Sequence, residues 1–168
     1  MSNTRRVRRW AGAAMAILAI GTTCLLAAGP DVKVELQGTY RPSDMPEAKW
    51  ASLQDDTKVV PGDRILYNVR ISNQGDRDAR RPVAFGPVPA GTSFVPGTAT
   101  RAAGLEVEYS IDGGKTFFAS PTITIPGKDG KPETVPAPPE RYTTLRWTWE
   151  SPLPAGSKAG VSYQVQVR

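Results

Sequence analysis

The segment Val161-Ser162-Tyr163-Gln164-Val165-Gln166-Val167 alternates apolar and polar side chains residue by residue. Successive side chains of a β-strand point to opposite faces, so this pattern predicts a strand with one buried face and one wet face. Strands of this kind are typical of antiparallel sheets packed as a sandwich. The same alternation recurs towards the amino terminus, in segments 32–36, 65–71, 105–111 and 145–149.

Turn signals separate these segments and complete the pattern of an all-β, antiparallel β-sandwich. No sustained helical stripe follows residue 29, and Pro and Gly, sixteen of each, suit short strands with tight connections. The proline-rich stretch 121–140 is the least regular; we expect an edge strand at 122–125, a turn at 127–132 and an extended loop at 136–140. The turn signals are Pro61-Gly62-Asp63, Asn73-Gln74-Gly75-Asp76, Pro89-Ala90-Gly91, Asp112-Gly113-Gly114 and Pro154-Ala155-Gly156.

Residues 1–28 have the order of a secretory signal peptide. Arginines at positions 5, 6, 8 and 9 precede an apolar run over 10–26, and small residues follow it. We expect cleavage between Ala28 and Gly29, which leaves 29–168 as a single exported domain, periplasmic or secreted.

Two alternatives for this segment stay open. Cys24 is a candidate lipoprotein cysteine, although Gly21, Thr22 and Thr23 match a lipidation signal poorly. The apolar run is also nearly long enough to remain as an uncut membrane anchor. Either alternative predicts a membrane-tethered domain that faces outside the cytoplasm.

The basic charge of the chain lies mostly in this segment. The arginines at 5, 6, 8 and 9 contribute four units of the formal net charge of +5. The remaining cluster, Arg77, Arg80 and Arg81, is interleaved with Asp76 and Asp78. A nucleic-acid-binding domain needs a basic patch of its own, so we expect no nucleic-acid partner.

The residue types that most enzymes need are missing from 29–168. The chain has no His, and its one Cys is Cys24. These absences exclude cysteine nucleophiles, Ser-His triads, zinc sites of His and Cys, and disulfides from the mature domain. Glu106 and Glu108 share a strand face that we expect to be wet, and the acidic loops 55–56 and 73–78 lack a calcium-loop motif. We therefore expect no enzyme, no metal and no cofactor.

The order of the turn and strand motifs resembles a known bacterial family. The chain is similar, over about residues 58–168, to the conserved repeat domain called domain of unknown function 11, which occurs in exported and surface proteins. The resemblance implies an immunoglobulin-like sandwich outside the cytoplasm, without a reaction and without established binding residues. It rests on Pro61–Tyr67, Ile71–Asp76, Pro87–Ala99, Tyr109–Phe117, Leu145–Trp147 and Leu153–Gly156.

One motif inside this stretch also fits the Asp-box hairpin pattern S-x-D-x-G-x-T-F. The Asp carboxylate of such a turn accepts backbone N–H groups, and glycines supply positive φ. We predict a structural turn whose aromatic residue anchors it in the core, and the motif is the sole support for a hydrolase or hydrolase-accessory role. The turn residues are Ser110, Asp112, Gly114, Thr116 and Phe117.

These observations favour an exported, non-catalytic interaction or structural module. Its partner would be a protein or polysaccharide of the cell envelope, reached through an edge strand or the loops 121–140 and 73–81. The alternative is a carbohydrate-binding module. That function needs Trp147, Trp149 and Tyr163 on an open face, whereas core packing is the simpler interpretation, and Trp50 is a fairer candidate for an exposed contact.

Overall fold

The computed structural model describes residues 29–128 and 130–168. Residues 1–28, with the predicted signal peptide, Cys24 and Ala28, lie outside the described residues. The described part forms ten strands and a 3-10 helix at Pro139–Arg141. The strands are β1 Val32–Arg41, β2 Ala51–Ser52, β3 Arg64–Asn73, β4 Val83–Pro87, β5 Thr92–Phe94, β6 Leu105–Ser110, β7 Thr122–Pro126, β8 Pro132–Pro136, β9 Thr144–Trp149 and β10 Lys158–Val167.

The strands form antiparallel sheets that pack as a sandwich, as the alternation predicts. A five-stranded sheet has the order β2-β1-β3-β10-β5, and a three-stranded sheet has the order β4-β9-β6. The last strand, β10, pairs with β3, and the strand before it, β9, pairs with β4. The carboxyl end of the chain thus supplies a central strand to each sheet.

The core lies between the two sheets and is filled by alternate residues of the central strands. Trp147 of β9 and Tyr163 of β10 are its largest fully buried side chains. Their polar atoms are satisfied: Trp147 Nε1 donates to the Thr100 carbonyl at 3.1 Å and the Tyr163 hydroxyl donates to the Pro87 carbonyl at 2.5 Å. Burial raises the pKa of the Tyr163 hydroxyl, with a smaller contribution from Tyr67.

Gly86 allows β4 to approach these two rings. A Cβ atom at this position would lie 2.5 Å from Tyr163 Cε1 and 2.9 Å from Trp147 Cζ3. No side chain fits at that distance, so the small residues of β4 face the core and its large residues face outwards.

The structure corrects the expected burial of β1. The alternation predicts a buried face for Val32, Val34 and Leu36, but these side chains are 37%, 53% and 44% exposed. The reason is the unequal size of the sheets. The three-stranded sheet ends at β4 and does not extend over this part of β1.

The proline-rich stretch is more regular than its sequence indicates. The expected strand at 122–125 is present as β7, and the expected turn at 127–132 joins it to an antiparallel partner, β8, that the sequence did not predict. The expected extended loop at 136–140 runs into the 3-10 helix. The two strands form a separate two-stranded sheet. Pro126 pairs with Pro132, and because proline has no backbone N–H, neither residue leaves a donor unpaired. The Gly127 N–H donates to the Lys131 carbonyl at 2.7 Å.

Candidate functional site

The candidate site is built around the turn that follows β6. Asp112 Oδ1 accepts the backbone N–H groups of Lys115 and Thr116, both at 3.0 Å. The Ser110 hydroxyl also donates to Oδ1, at 2.7 Å, and the Thr116 hydroxyl donates to Oδ2 at 2.6 Å. The carboxylate therefore fastens both ends of a tight turn.

Glycine and threonine residues complete this turn. Gly113 and Gly114 have φ values of 77° and 85°, in the left-handed region that side-chain-bearing residues rarely adopt. The Gly114 N–H donates to Ser110 Oγ at 2.9 Å, and the Gly113 N–H donates to Thr143 Oγ1 at 3.0 Å. Because Thr143 directly precedes β9, the turn is joined to the neighbouring strand as well as to its own.

The hydrogen bonds of the turn act on the acidity of its carboxyl group. The hydroxyl and backbone N–H of Thr116 and the hydroxyl of Ser110 hold the pKa of Asp112 well below its usual range. The group thus stays ionised as a fixed acceptor. A general acid needs the opposite shift, so this environment suits a structural carboxylate.

Phe117, at the end of the turn, lies in a different place from the one the sequence predicts. It is half-buried and does not join the core. Its ring centre lies 5.8 Å from that of Phe85, on the outer face of the three-stranded sheet. The core position is already filled by Tyr109 of β6, which faces inwards. The turn accordingly carries the aromatic ring over the outer face.

Arg146 links Phe117 to the sheet beneath it. Its guanidinium carbon lies 4.3 Å from the centre of the Phe117 ring, within the range of a cation–π contact. Arg146 Nε and Nη2 donate to Glu108 Oε2 at 3.0 and 2.5 Å. Glu108 is therefore largely covered by its partner, whereas Glu106 on the same face is exposed and lies 4.0 Å from Arg81. These two glutamates have separate cationic partners.

We call the resulting surface the outer-face patch. Strand register places Phe85, Arg146 and Glu108 in one row across β4, β9 and β6. Phe85 is 51% exposed, so the patch presents aromatic surface beside the Arg146 guanidinium, which Glu108 holds in place. Aromatic and arginine side chains are the types enriched where proteins bind one another. The patch consists of Val83, Phe85, Glu108, Phe117 and Arg146.

The Asn73 side chain, at the start of the acidic loop 73–78, forms hydrogen bonds inside the fold. It is buried, and its Nδ2 donates to the carbonyls of Arg77 and Leu153 at 2.7 and 3.0 Å. Its Oδ1 accepts the N–H groups of Asp31 and Gly75, both at 3.2 Å. Both lone pairs of this oxygen are therefore engaged, and the side chain joins three segments of the chain.

The tryptophans considered as a sugar platform belong to the core. Trp147 and Tyr163 are fully buried, and Trp149 packs against the core cluster. Trp50 is half-buried, and the Arg41 guanidinium carbon lies 4.6 Å from its ring centre. None of these rings offers an open face like that of Phe85.

Residues 29–128 and 130–168 contain neither a candidate metal-binding cluster nor a candidate membrane-spanning helix. No group of three or more His, Cys, Asp or Glu side chains in this part of the chain is placed to hold a metal ion. No helix of the same residues combines the length and the apolar character that a membrane crossing requires. Of the two residues at the predicted cleavage point, Ala28 is outside the described residues and Gly29 begins them.

Comparison with known proteins found no relative. No protein-family model, no curated protein and no solved structure matches this chain. The resemblance to the bacterial repeat domain stays a prediction from its motifs.

Proposed function

We propose that the chain is an exported, non-catalytic interaction module of the bacterial cell envelope that binds a protein through its outer-face patch. The observation that carries the proposal is the pairing of exposed Phe85 with Phe117 over Arg146. A hydrogen-bonded turn holds Phe117 in place, so little conformational freedom is lost when a partner covers it.

The shape of the patch favours a protein over a polysaccharide. The rings of Phe85 and Phe117 are tilted by 48°, whereas a sugar face stacks best on a flat platform. Phenylalanine also has no polar group with which to bind sugar hydroxyls. Arg146 can keep its contact with Glu108 while its remaining N–H groups face a partner.

We further propose that the sandwich is immunoglobulin-like. The support is the packing of two antiparallel sheets, one of which has three strands, as one sheet of a constant-type domain does. The path of the chain differs from the constant-type order, because the last strand lies beside β3 rather than in the three-stranded sheet.

Binding of the purified protein to envelope fractions tests the proposed site. Phe85→Ser is expected to lower retention about tenfold or more, since a central aromatic anchor contributes about 2 kcal/mol or more to binding. Met45→Ser, which alters an exposed apolar residue elsewhere, is the matched control and should bind like the wild type. Equal retention of the Phe85→Ser variant would refute the patch as the binding site.

The same assay separates the two classes of partner. Protease treatment of the envelope should abolish retention, and enzymatic removal of glycans should leave it intact. The reverse result, with Phe85 still required, would establish the carbohydrate-binding alternative.

Intact mass and amino-terminal sequencing of the protein from fractionated cells test export. A chain that starts at Gly29 in a soluble fraction is the expected result. A lipid-modified chain starting at Cys24, or an uncut chain in the membrane, would show a tethered module instead.

A further inference from the structure

The exposed side chains of β1 form a stripe that no other element of the described chain covers. Register places Leu36 opposite Val69 and Val34 opposite Ile71, so the stripe continues the buried face of the five-stranded sheet. Val69 and Ile71 are buried, whereas the β1 side chains are not. We call Val32, Val34 and Leu36 the β1 stripe.

The backbone of the same residues lies at a free sheet edge. β3 pairs with β1 along its whole length, but β2 pairs only with Thr39 and Tyr40. The Asp31 carbonyl accepts from Gln74 on the β3 side, and the Gly38 carbonyl accepts from Leu53 on the other side. Backbone groups alternate along a strand, so those of Val32, Val34 and Leu36 point to the free edge.

The sequence of this edge is complementary to itself. In an antiparallel pairing of two copies about a two-fold axis at Val34, that residue faces its own copy and Val32 faces Leu36 of the other copy. Lys33 then faces Glu35 of the other copy on the opposite sheet face, and this contact occurs twice. Apolar residues meet apolar residues, and each cation meets an anion.

Neighbouring registers lack this match. An axis at Lys33 places the two Lys33 side chains opposite each other, and an axis at Glu35 does the same for the two glutamates. Pairing also stops before β2, because the Gly38 carbonyl is already occupied by Leu53. Charge and available edge therefore favour one register.

We propose that two copies of this chain pair through β1, antiparallel about Val34, so that the five-stranded sheets continue from one copy into the other. Each copy's β1 stripe then extends into that of its partner, and the backbone groups at the free edge gain hydrogen bonds. Glu35 lies 3.8 Å from Arg70 and remains exposed, so its carboxylate can accept Lys33 of the second copy as well. This pairing involves the five-stranded sheet, whereas the outer-face patch lies on the three-stranded sheet. The pairing therefore does not depend on the outer-face patch.

Charge-swapped variants test this pairing by sedimentation of the purified protein. The wild type is expected to sediment as a dimer at a concentration of about 100 μM. Lys33→Glu alone and Glu35→Lys alone place like charges opposite each other at both contacts. Each is expected to raise the Kd of the dimer about tenfold or more.

Restoration of the dimer shows which residues face each other. The double variant Lys33→Glu/Glu35→Lys should dimerise like the wild type, and an equimolar mixture of the two single variants should form a mixed dimer. Phe85→Ser is the control and should leave sedimentation unchanged. A monomeric wild type, or dimers that the single swaps do not weaken or the double swap does not restore, would overturn the proposal.

Discussion

At the residue scale, single polar groups fix the loops between the strands. The Asp63 carboxylate accepts the backbone N–H groups of Ser43 and Val60 at 2.8 and 3.0 Å, and Asp112 plays the same part in the turn after β6. Donation from Val60 lowers the pKa of Asp63, with a smaller contribution from Ser43, despite the opposing effect of burial. The turns of this protein thus depend on ionised aspartates.

Removal of the Asp112 carboxylate should change the response of the protein to acid. Because its folded pKa lies below the ordinary value of 3.8, its stabilising effect is full above that pH and is lost as the pH falls towards the folded pKa. Asp112→Ala should lower the Tm at neutral pH, and the difference from the wild type should shrink below about pH 3.8. Thermal melts across this range provide the measurement.

Asp76→Ala, at an exposed loop position, is the matched control for Asp112→Ala. It should leave both the neutral Tm and its acid dependence close to those of the wild type. A Tm difference between wild type and Asp112→Ala that stays constant into acid would contradict the structural role of the carboxylate.

Gly86→Ala should destabilise the core. The added methyl group meets Tyr163 at 2.5 Å and Trp147 at 2.9 Å, so a buried ring has to move, at a cost of about 1–3 kcal/mol. Urea unfolding measures the loss. Gly160→Ala is the matched control in another strand, where the nearest atom lies at 3.4 Å; equal stability of the two variants would show that β4 packs differently.

At the element scale, alternation predicted the central strands well because it is a local property. β9 and β10 bury the faces that their sequences indicate. β8 was missed because proline stands at both of its ends, although its pairing needs no N–H there. The exposure of β1 was missed because it depends on how many strands the opposite sheet has.

The β7–β8 hairpin is expected to be dispensable for folding. The strands of the hairpin pair only with each other, and most of their side chains are exposed. The residues that flank the hairpin, Pro121 and Ala137, are buried. Replacement of 123–135 by a short Gly-Ser turn should change the free energy of unfolding by less than about 1 kcal/mol, as urea titration would show. Loss of folding would instead make the hairpin part of the sandwich.

At the scale of the whole molecule, the two sheets offer different surfaces: a free edge on one and the outer-face patch on the other. Sequence reasoning singled out Phe117 but placed it in the core, and it overlooked Phe85. The signal for Phe85 was the sequence Val83-Ala84-Phe85-Gly86, in which large and small residues alternate. Val83 and Phe85 point outwards because Trp147 and Tyr163 fill the core, and these two residues come from strands that are distant in the sequence.

Site-specific photo-crosslinking in the cells that produce the protein tests the central claim, that the outer-face patch binds an envelope protein. A benzophenone side chain at position 85 is expected to give one discrete protein adduct that Phe117→Ser removes. The same probe at Asn68, exposed on the five-stranded sheet, should not give that adduct. Identical adducts from both positions, or none from position 85, would contradict the account.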